Sequence, residues 1–381
     1  MGRASIGRCT ILSKLQQLKI REELLKSTFT RPDWTKSSRR SSTLLFLDKN
    51  ENTDEIYVDL IKRVAYGACL DDINYYPDCA LLYNKLGKQL DMPADCILLG
   101  AGSDGVIRYV FETFVSRGDA VVYTEPTFAM YSVYSEMFGA KSCRVGYKIK
   151  SGQLELDIDT FLKAIRDNEP TLVCLPNPDS PTGTTVSEED LILIVESASK
   201  VGAAVLIDEA YYPFSEYTAL PLIKFHSNLI VSRTFSKAWG LAGARAGFAV
   251  ANHELITYMH KVRPMYELGA LSVAVVVKVL DYQREMLDSV KRLNDGRNYF
   301  KQQMECLGFK TLSSAGNFQH VAFGQHAFEI HAKLKDVVVY RQDFPGTVLD
   351  GYSRFSSTTR DLFQQIVGQI DSVLQKHSQS A

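Results

Sequence analysis

Short, dense apolar runs alternate along this chain with longer stretches of helical periodicity. The runs at 97–99, 120–123, 172–175, 203–207, 228–231 and 247–250 are too short for helices and rich in β-branched residues, so they read as buried strands. Between them, residues 80–90, 102–116 and 187–201 carry apolar positions at helical spacing. Glu188 and Glu189 open the last of these, as the helix dipole favours. Strand and helix in turn across about 70–260 predict a mostly parallel sheet covered by helices, with ligands at the strands' carboxyl ends. A strand at 44–48 and a helix near 56–66 precede this region. After it come a helix opening at His253, one long or broken helix over 270–305, and strands at 309–312, 318–323 and 337–340. Helices near 327–334 and 360–375 complete an α+β layer suited to a smaller C-terminal domain. The expected division is an N-terminal arm (1–47), a segment joining the small domain (48–70), a large domain (71–265) and a small domain (266–381).

Composition narrows the function classes. At 381 residues the chain exceeds the ~250–300 at which single cores split, in line with two domains. A net charge of -1 gives no electrostatic footprint for nucleic acid or an anionic membrane. No apolar run approaches the ~18–20 residues of a membrane span. Seven cysteines, an odd number without a Cys-x-x-Cys pair, argue against a disulfide framework or a zinc site; no metal is expected, and a cytoplasmic location is. Residues 1–42 are rich in Arg, Lys and Ser, and Ile11, Leu12, Leu15 and Leu18 share one face of a helical pattern over 10–27. Glu22 and Glu23 interrupt the acid-poor pattern of an organellar leader, so an arm packing on a partner subunit or on the small domain is expected.

The chemistry concentrates between Ser232 and Arg245. Lys237 follows a buried strand on a tight connection, where desolvation can leave its amine free to condense with an aldehyde. The hydroxyls of Thr234 and Ser236 and the guanidinium of Arg245 suit a phosphate. A lone Ser-x-Lys is a weak motif, but the 203–207 strand upstream ends in Asp208-Glu209-Ala210-Tyr211. Asp208 can pair with a pyridinium nitrogen and Tyr211 can reach a ring phenolic oxygen. Together they read as a site for pyridoxal 5'-phosphate (PLP).

With those residues, the chain from about 48 to 370 resembles fold-type I PLP enzymes, in the histidinol-phosphate aminotransferase-like group of class I/II aminotransferases. The resemblance implies an aspartate aminotransferase-like α/β fold, with PLP bound in the large domain, and a homodimer with shared sites. Gly102, Ser103 and Asp104 match the family's phosphate-binding loop, with Gly105 in place of a glutamate. Phe128 matches the ring that stacks on the cofactor, and Tyr76 the tyrosine that reaches the neighbouring subunit's phosphate. Asn177 opens the turn Asn-Pro-x-x-Pro-Thr-Gly, in which Ser180 replaces the asparagine that bonds the ring oxygen. A serine is shorter, so that contact is lost or bridged by water. Asn50 matches a residue at the site's mouth, and Arg341 and Arg354 match arginines that receive substrate anions. Glu267 departs from the family pattern near the substrate pocket; it either binds a cationic substrate group or is a solvated charge.

The implied mechanism has Lys237 bind the cofactor and then serve as general base and acid for the proton shift. Asp208 keeps the ring nitrogen protonated, and Tyr211 tunes the phenolic oxygen. The partners are small molecules: an amino donor, plausibly glutamate, and a histidinol-phosphate-like or other specialised keto acceptor. A decarboxylase of amino-acid phosphates shares this fold and stays open as the alternative. A regulatory domain of the same fold would carry a DNA-binding module, for which the residues before Asp48 show no basic recognition pattern.

Overall fold

The structure, a computed structural model, describes residues 18–26, 35, 40–41, 43–68 and 73–380. Its strands are β1 (Leu45–Leu47), β2 (Ile97–Gly100), β3 (Ala120–Glu125), β4 (Lys141–Lys150), β5 (Gln153–Leu156), β6 (Leu172–Pro176), β7 (Ala204–Asp208), β8 (Leu229–Thr234), β9 (Gly247–Ala251), β10 (Lys310–Leu312), β11 (Phe318–Ala322), β12 (Val338–Tyr340) and β13 (Ser353–Ser356). Eight form one sheet in the order β2-β9-β8-β7-β6-β3-β4-β5. The run β8-β7-β6-β3-β4 is parallel throughout, while β9 lies antiparallel to both neighbours and β5 antiparallel to β4. β10, β11 and β13 form a second, antiparallel sheet, and β1 pairs with β12 in parallel.

The central strands read as continuous apolar runs because helices cover both faces. Val173, Leu175, Val205, Ile207, Leu229 and Val231 pack in one core; their alternate neighbours Leu172, Cys174, Leu206 and Ile230 pack in another across the sheet. A third core lies between the small sheet and the helices Gln283–Cys306 and Arg360–Ser380, with Phe300, Phe355 and Phe363 at its centre. The connection between the sheets is a broken helix: Ala270–Val279, a 3-10 turn, then Gln283–Cys306.

The sequence pattern did not announce β4 and β5. Their residues alternate between exposed and buried, with Val145, Tyr147 and Leu154 turned inward, so no dense apolar run marks them. Tyr147 and Leu154 instead pack on Leu312, Phe344 and Leu349, joining this hairpin to the small sheet's side of the molecule.

The described piece of the arm at 21–26 packs on the large domain, whereas a partner subunit or the small domain is expected for the arm. Of the helix expected over 10–27, Glu22–Lys26 is helical, and residues 10–17 and 27 lie outside the described residues. Glu22 and Glu23 pair with Arg117 at 2.6 and 3.3 Å, and Arg21 donates to the Met137 carbonyl at 2.5 Å. Met137 belongs to the Met130–Phe138 helix beside the large sheet, and Arg117 to the loop that leads into β3. The two glutamates that break a leader pattern are the ones that anchor this part of the arm.

Candidate active site

Parallel strands bring their carboxyl ends to one edge of a sheet, and here β7 and β8 deliver the reactive groups side by side. Asp208 is the last residue of β7, in register with Ser232 on β8. Its carboxylate is fully enclosed and accepts from the Ser232 hydroxyl at 3.0 Å, the Tyr131 hydroxyl at 3.1 Å and the Ala210 N–H at 3.1 Å. Burial raises its pKa to about 6, against the pull of those donors. A buried carboxylate so placed is a receptor for a cationic ring nitrogen.

β8 ends at Thr234, and the chain then turns through Ser236 and Lys237. Lys237 Nζ donates to the Lys49 carbonyl at 2.7 Å, and burial lowers its pKa below the ordinary lysine value. Thr234 Oγ1 donates to Ser236 Oγ at 3.0 Å, and Arg245 Nη1 reaches the same Ser236 oxygen at 3.3 Å. Arg245 also touches the Ala101 carbonyl at 3.3 Å, so the hydroxyl pair and the guanidinium converge on the start of the Gly102–Phe114 helix. That helix has Ala101 at its N-cap and no side-chain cap, leaving its first N–H groups for an outside acceptor. The Tyr134 hydroxyl takes up the Asp104 carboxylate at 2.9 Å.

Two glycines keep this cradle open. Gly102 has φ of +77°, and a Cβ there would lie 2.7 Å from Arg245 Nη2. At Gly247 an added Cβ would stand 2.5 Å from the Gly102 carbonyl carbon and 2.7 Å from the Ser103 nitrogen. Donors on three sides, a half-buried lysine and a buried carboxylate beyond it fit PLP.

These groups line one cavity of about 570 Å³, with Ser103, Asp104, Phe128, Ser180, Asp208, Tyr211, Thr234, Ser236, Lys237 and Arg245 in its wall. Phe128 stands edge-on to Tyr131, with ring centres 6.2 Å apart. Asn50, Arg341 and Arg354 complete the wall. An antiparallel bridge sets Arg341 directly across from Arg354, which sends both side chains to one face. The Phe344 ring lies 5.2 and 5.7 Å from their guanidinium carbons. Arg354 Nη2 holds the Asp48 carbonyl at 3.2 Å, and Nη1 reaches the Ser180 hydroxyl at 3.5 Å. Ser180 therefore faces the substrate-side arginine.

Three of the expected residues do not line this chain's own cavity. Glu267 does not line the cavity: Tyr83 donates to its carboxylate at 2.7 Å and Arg263 pairs with it at 3.1 Å, so its charge is met inside the protein and is not a solvated one. Asn177 is buried behind the cavity wall, with its amide bonded at both ends to the Val186 backbone at 3.3 and 3.0 Å. Tyr76 is 78% exposed and stacks on Tyr266 at 4.3 Å, away from this chain's own cavity.

Sequence reading passed over Tyr131 and Ser232, which hold Asp208. Ser232 is recognisable only once the β7–β8 register is known. It placed Asn50 at the site's mouth but did not anticipate the contacts that hold the strap at 48–54. Asn52 Nδ2 donates to the Ala238 carbonyl at 3.1 Å and to Ser289 Oγ at 3.0 Å, and Arg292 grips Asp54 at 2.5 Å. The alternation Asn50, Asn52, Asp54 was the available signal.

Comparison with known proteins agrees with this geometry. The profile of the family described as aminotransferase class I and II matches residues 72–370. The histidinol-phosphate aminotransferase of Caldanaerobacter subterraneus subsp. tengcongensis is 31% identical over 333 residues, covering 86% of this chain and 92% of that protein. The solved histidinol-phosphate aminotransferase of Sinorhizobium meliloti, in complex with pyridoxal-5'-phosphate, superposes with a TM-score of 0.80 at 23% identity, over 94% of this chain and 98% of that one. The L-threonine-O-3-phosphate decarboxylase of Porphyromonas gingivalis shares the fold, with a TM-score of 0.72 at 18% identity over 87% of this chain and 100% of that one.

Proposed function

The chain belongs to the class I and II aminotransferase family, and from that premise we propose that it transfers an amino group from glutamate to a phosphate-bearing keto acceptor of the histidinol-phosphate type. The observation that carries the substrate class is the arginine pair. Arg341 and Arg354 share one face, line the cavity and come from the C-terminal part of the chain, not from the β8–β9 connection that carries Ser236 and Arg245, so a second anion beyond the cofactor's own phosphate has two guanidiniums to receive it.

PLP, when bound, supplies the electron sink for the bond broken at the substrate's α-carbon and carries the amino group between half-reactions. We assign Lys237, Asp208, Tyr211, Gly102, Ser103, Asp104, Phe128, Thr234, Ser236 and Arg245 to holding it. Lys237, its proton affinity lowered by burial, would take the proton from the substrate's α-carbon and return it two bonds away, a 1,3 shift. Asp208 keeps the ring nitrogen protonated, and Ser232 and Tyr131 hold the carboxylate in place for that. Arg354 orients the substrate by its anionic end. Ser180 serves that arginine, and Asn177 shapes the turn that carries it.

A second copy completes the reading. Tyr75, Tyr76, Leu81 and Leu271 are exposed around a groove of about 480 Å³, a face suited to a homodimer in which Tyr76 reaches the partner's phosphate cradle. Among the described residues no helix is long and apolar enough to cross a membrane, and we place the enzyme in the cytoplasm.

The test compares histidinol phosphate with histidinol as amino donors to 2-oxoglutarate. The proposal expects the phosphate to raise kcat/KM at least about hundredfold, and Arg354→Lys to erase most of that gain. Equal rates for the two donors would end the phosphate reading. Carbon dioxide released from a phosphorylated amino acid, with no keto product, would favour the decarboxylase, which shares this fold.

A further inference from the structure

Asn50 is set apart by its backbone. Its φ is 55°, in the left-handed region, and it is 2% exposed. Asparagine tolerates this region better than most residues, yet such a conformation persists only where its surroundings enforce it. Two small-sheet residues do so. The Asn50 N–H donates to Ser356 Oγ at 2.8 Å, and the Asn50 carbonyl accepts from Asn317 Nδ2 at 2.9 Å. The side chain then spans the gap to the large sheet: Oδ1 lies 3.1 Å from Ser356 Oγ, and Nδ2 lies 2.9 Å from the Tyr211 hydroxyl.

The orientation of the Asn50 amide sets the sense of every bond in this chain. A backbone N–H can only donate, so Ser356 Oγ accepts from the Asn50 N–H, and it donates its own proton to Oδ1 of the amide as oriented. With Oδ1 engaged as acceptor, Nδ2 faces Tyr211 and can only donate. The phenol oxygen therefore accepts from Asn50, which leaves the phenol's proton for an acceptor in the cavity. The Tyr211 ring is braced edge-on by Phe318, centres 5.4 Å apart, and Lys237 Nζ lies 5.9 Å from its centre.

We propose that Asn50 is a positioning residue that makes Tyr211 an obligate donor into the cavity, with Ser356 fixing the sense of the Asn50 amide. This rests on the reading that Tyr211 meets the cofactor's ring oxygen. With PLP held there, a donor on that oxygen would draw electron density from it and lower the pH at which the cofactor site gives up its proton. Loss of the donor raises the pH at which that proton leaves. Ser356 lies two residues from Arg354 on β13, so one strand carries both the anion anchor and the root of this relay.

The test is a pH titration of the visible cofactor band in the holoenzyme, without substrate. Tyr211→Phe removes the donor and should raise the midpoint by about one pH unit or more. Asn50→Gly keeps the left-handed backbone without strain and Ser356→Ala frees the amide to turn. Both should raise the midpoint by part of that amount, and neither should add to the shift when combined with Tyr211→Phe. Asp48, Glu51, Asp208, Arg245, Arg341 and Arg354 surround Lys237 and Tyr211 and are unchanged in these variants, so no altered charge accounts for the shift. Asn50→Asp, which also accommodates the backbone, is compared with and without Tyr211→Phe. Its charge acts in both backgrounds, the relay only in the first, so a larger shift with Tyr211 present is expected. A midpoint that moves in Tyr211→Phe but not in Asn50→Gly or Ser356→Ala, with equal Asn50→Asp shifts in both backgrounds, overturns the proposal. A midpoint unmoved by Tyr211→Phe refutes the underlying reading of Tyr211, and the proposal with it.

Discussion

Asp208 illustrates how burial and partnership compete at single residues. Its pKa of about 6 means that the native protein without cofactor holds a proton that the unfolded chain, titrating near 4, has released. The stabilisation from that proton is complete below about pH 4 and is lost as pH rises through about 6. Asp179 is in the same condition, buried among Thr124, Thr127 and Tyr147, with its pKa also near 6. Asp208→Asn, permanently neutral, should therefore flatten the pH dependence of apoprotein stability between pH 4 and 6.5 by up to about 3 kcal/mol. Urea unfolding at several pH values would show it; parallel curves for wild type and variant would contradict it. The types of these residues were legible: a carboxylate, a tyrosine and a lysine at strand ends announced the cofactor chemistry. Their supporting shell was not, because Ser232 and Tyr131 meet Asp208 only through strand register and helix placement. Glu267 shows the converse, since a lone charge near an expected pocket says nothing about a partner such as Arg263 four residues earlier.

At the scale of elements, the start of β9 and the start of the helix at Gly102 approach so closely that only glycine fits at Gly247. Gly247→Ala should push the start of β9 away from the Gly102–Ser103 turn, at a cost of about 1–3 kcal/mol in stability. It should also weaken PLP binding at least about tenfold, read by absorbance titration. Gly243→Ala, where an added Cβ meets nothing within 4 Å, is the control and should bind PLP as wild type does. Strands β6, β7 and β8 were readable because both their faces are buried, which turns a structural fact into a dense apolar run. The β4–β5 hairpin was not, because a half-exposed edge leaves only Val145, Tyr147 and Leu154 as a signal. Of the strap at 48–54 the sequence marks only Asn50, at the site's mouth; its polar side chains contact Tyr211, Ala238, Ser289 and Arg292, on elements far along the chain that no local signal names.

For the whole molecule, two sheets and the helix connecting them bring a phosphate cradle and an arginine pair to one cavity. The exposed groove around Tyr76 and Leu271 is where the proposed second copy would dock. Leu271→Glu should convert a dimer to a monomer in sedimentation velocity and weaken PLP retention with it; a wild-type chain that sediments as a monomer at assay concentration would contradict the homodimer. The central claim, that these residues together perform amino transfer, is tested most directly by one half-reaction. PLP-loaded protein is mixed with glutamate, without acceptor, and 2-oxoglutarate is counted against active sites while the visible band is followed. The account predicts one 2-oxoglutarate per site, conversion of the cofactor to its amine form, reversal on adding 2-oxoglutarate, and none of these in Lys237→Ala. Glutamate and a panel of phosphorylated amines that all leave the band unchanged in a PLP-loaded wild-type protein would contradict it.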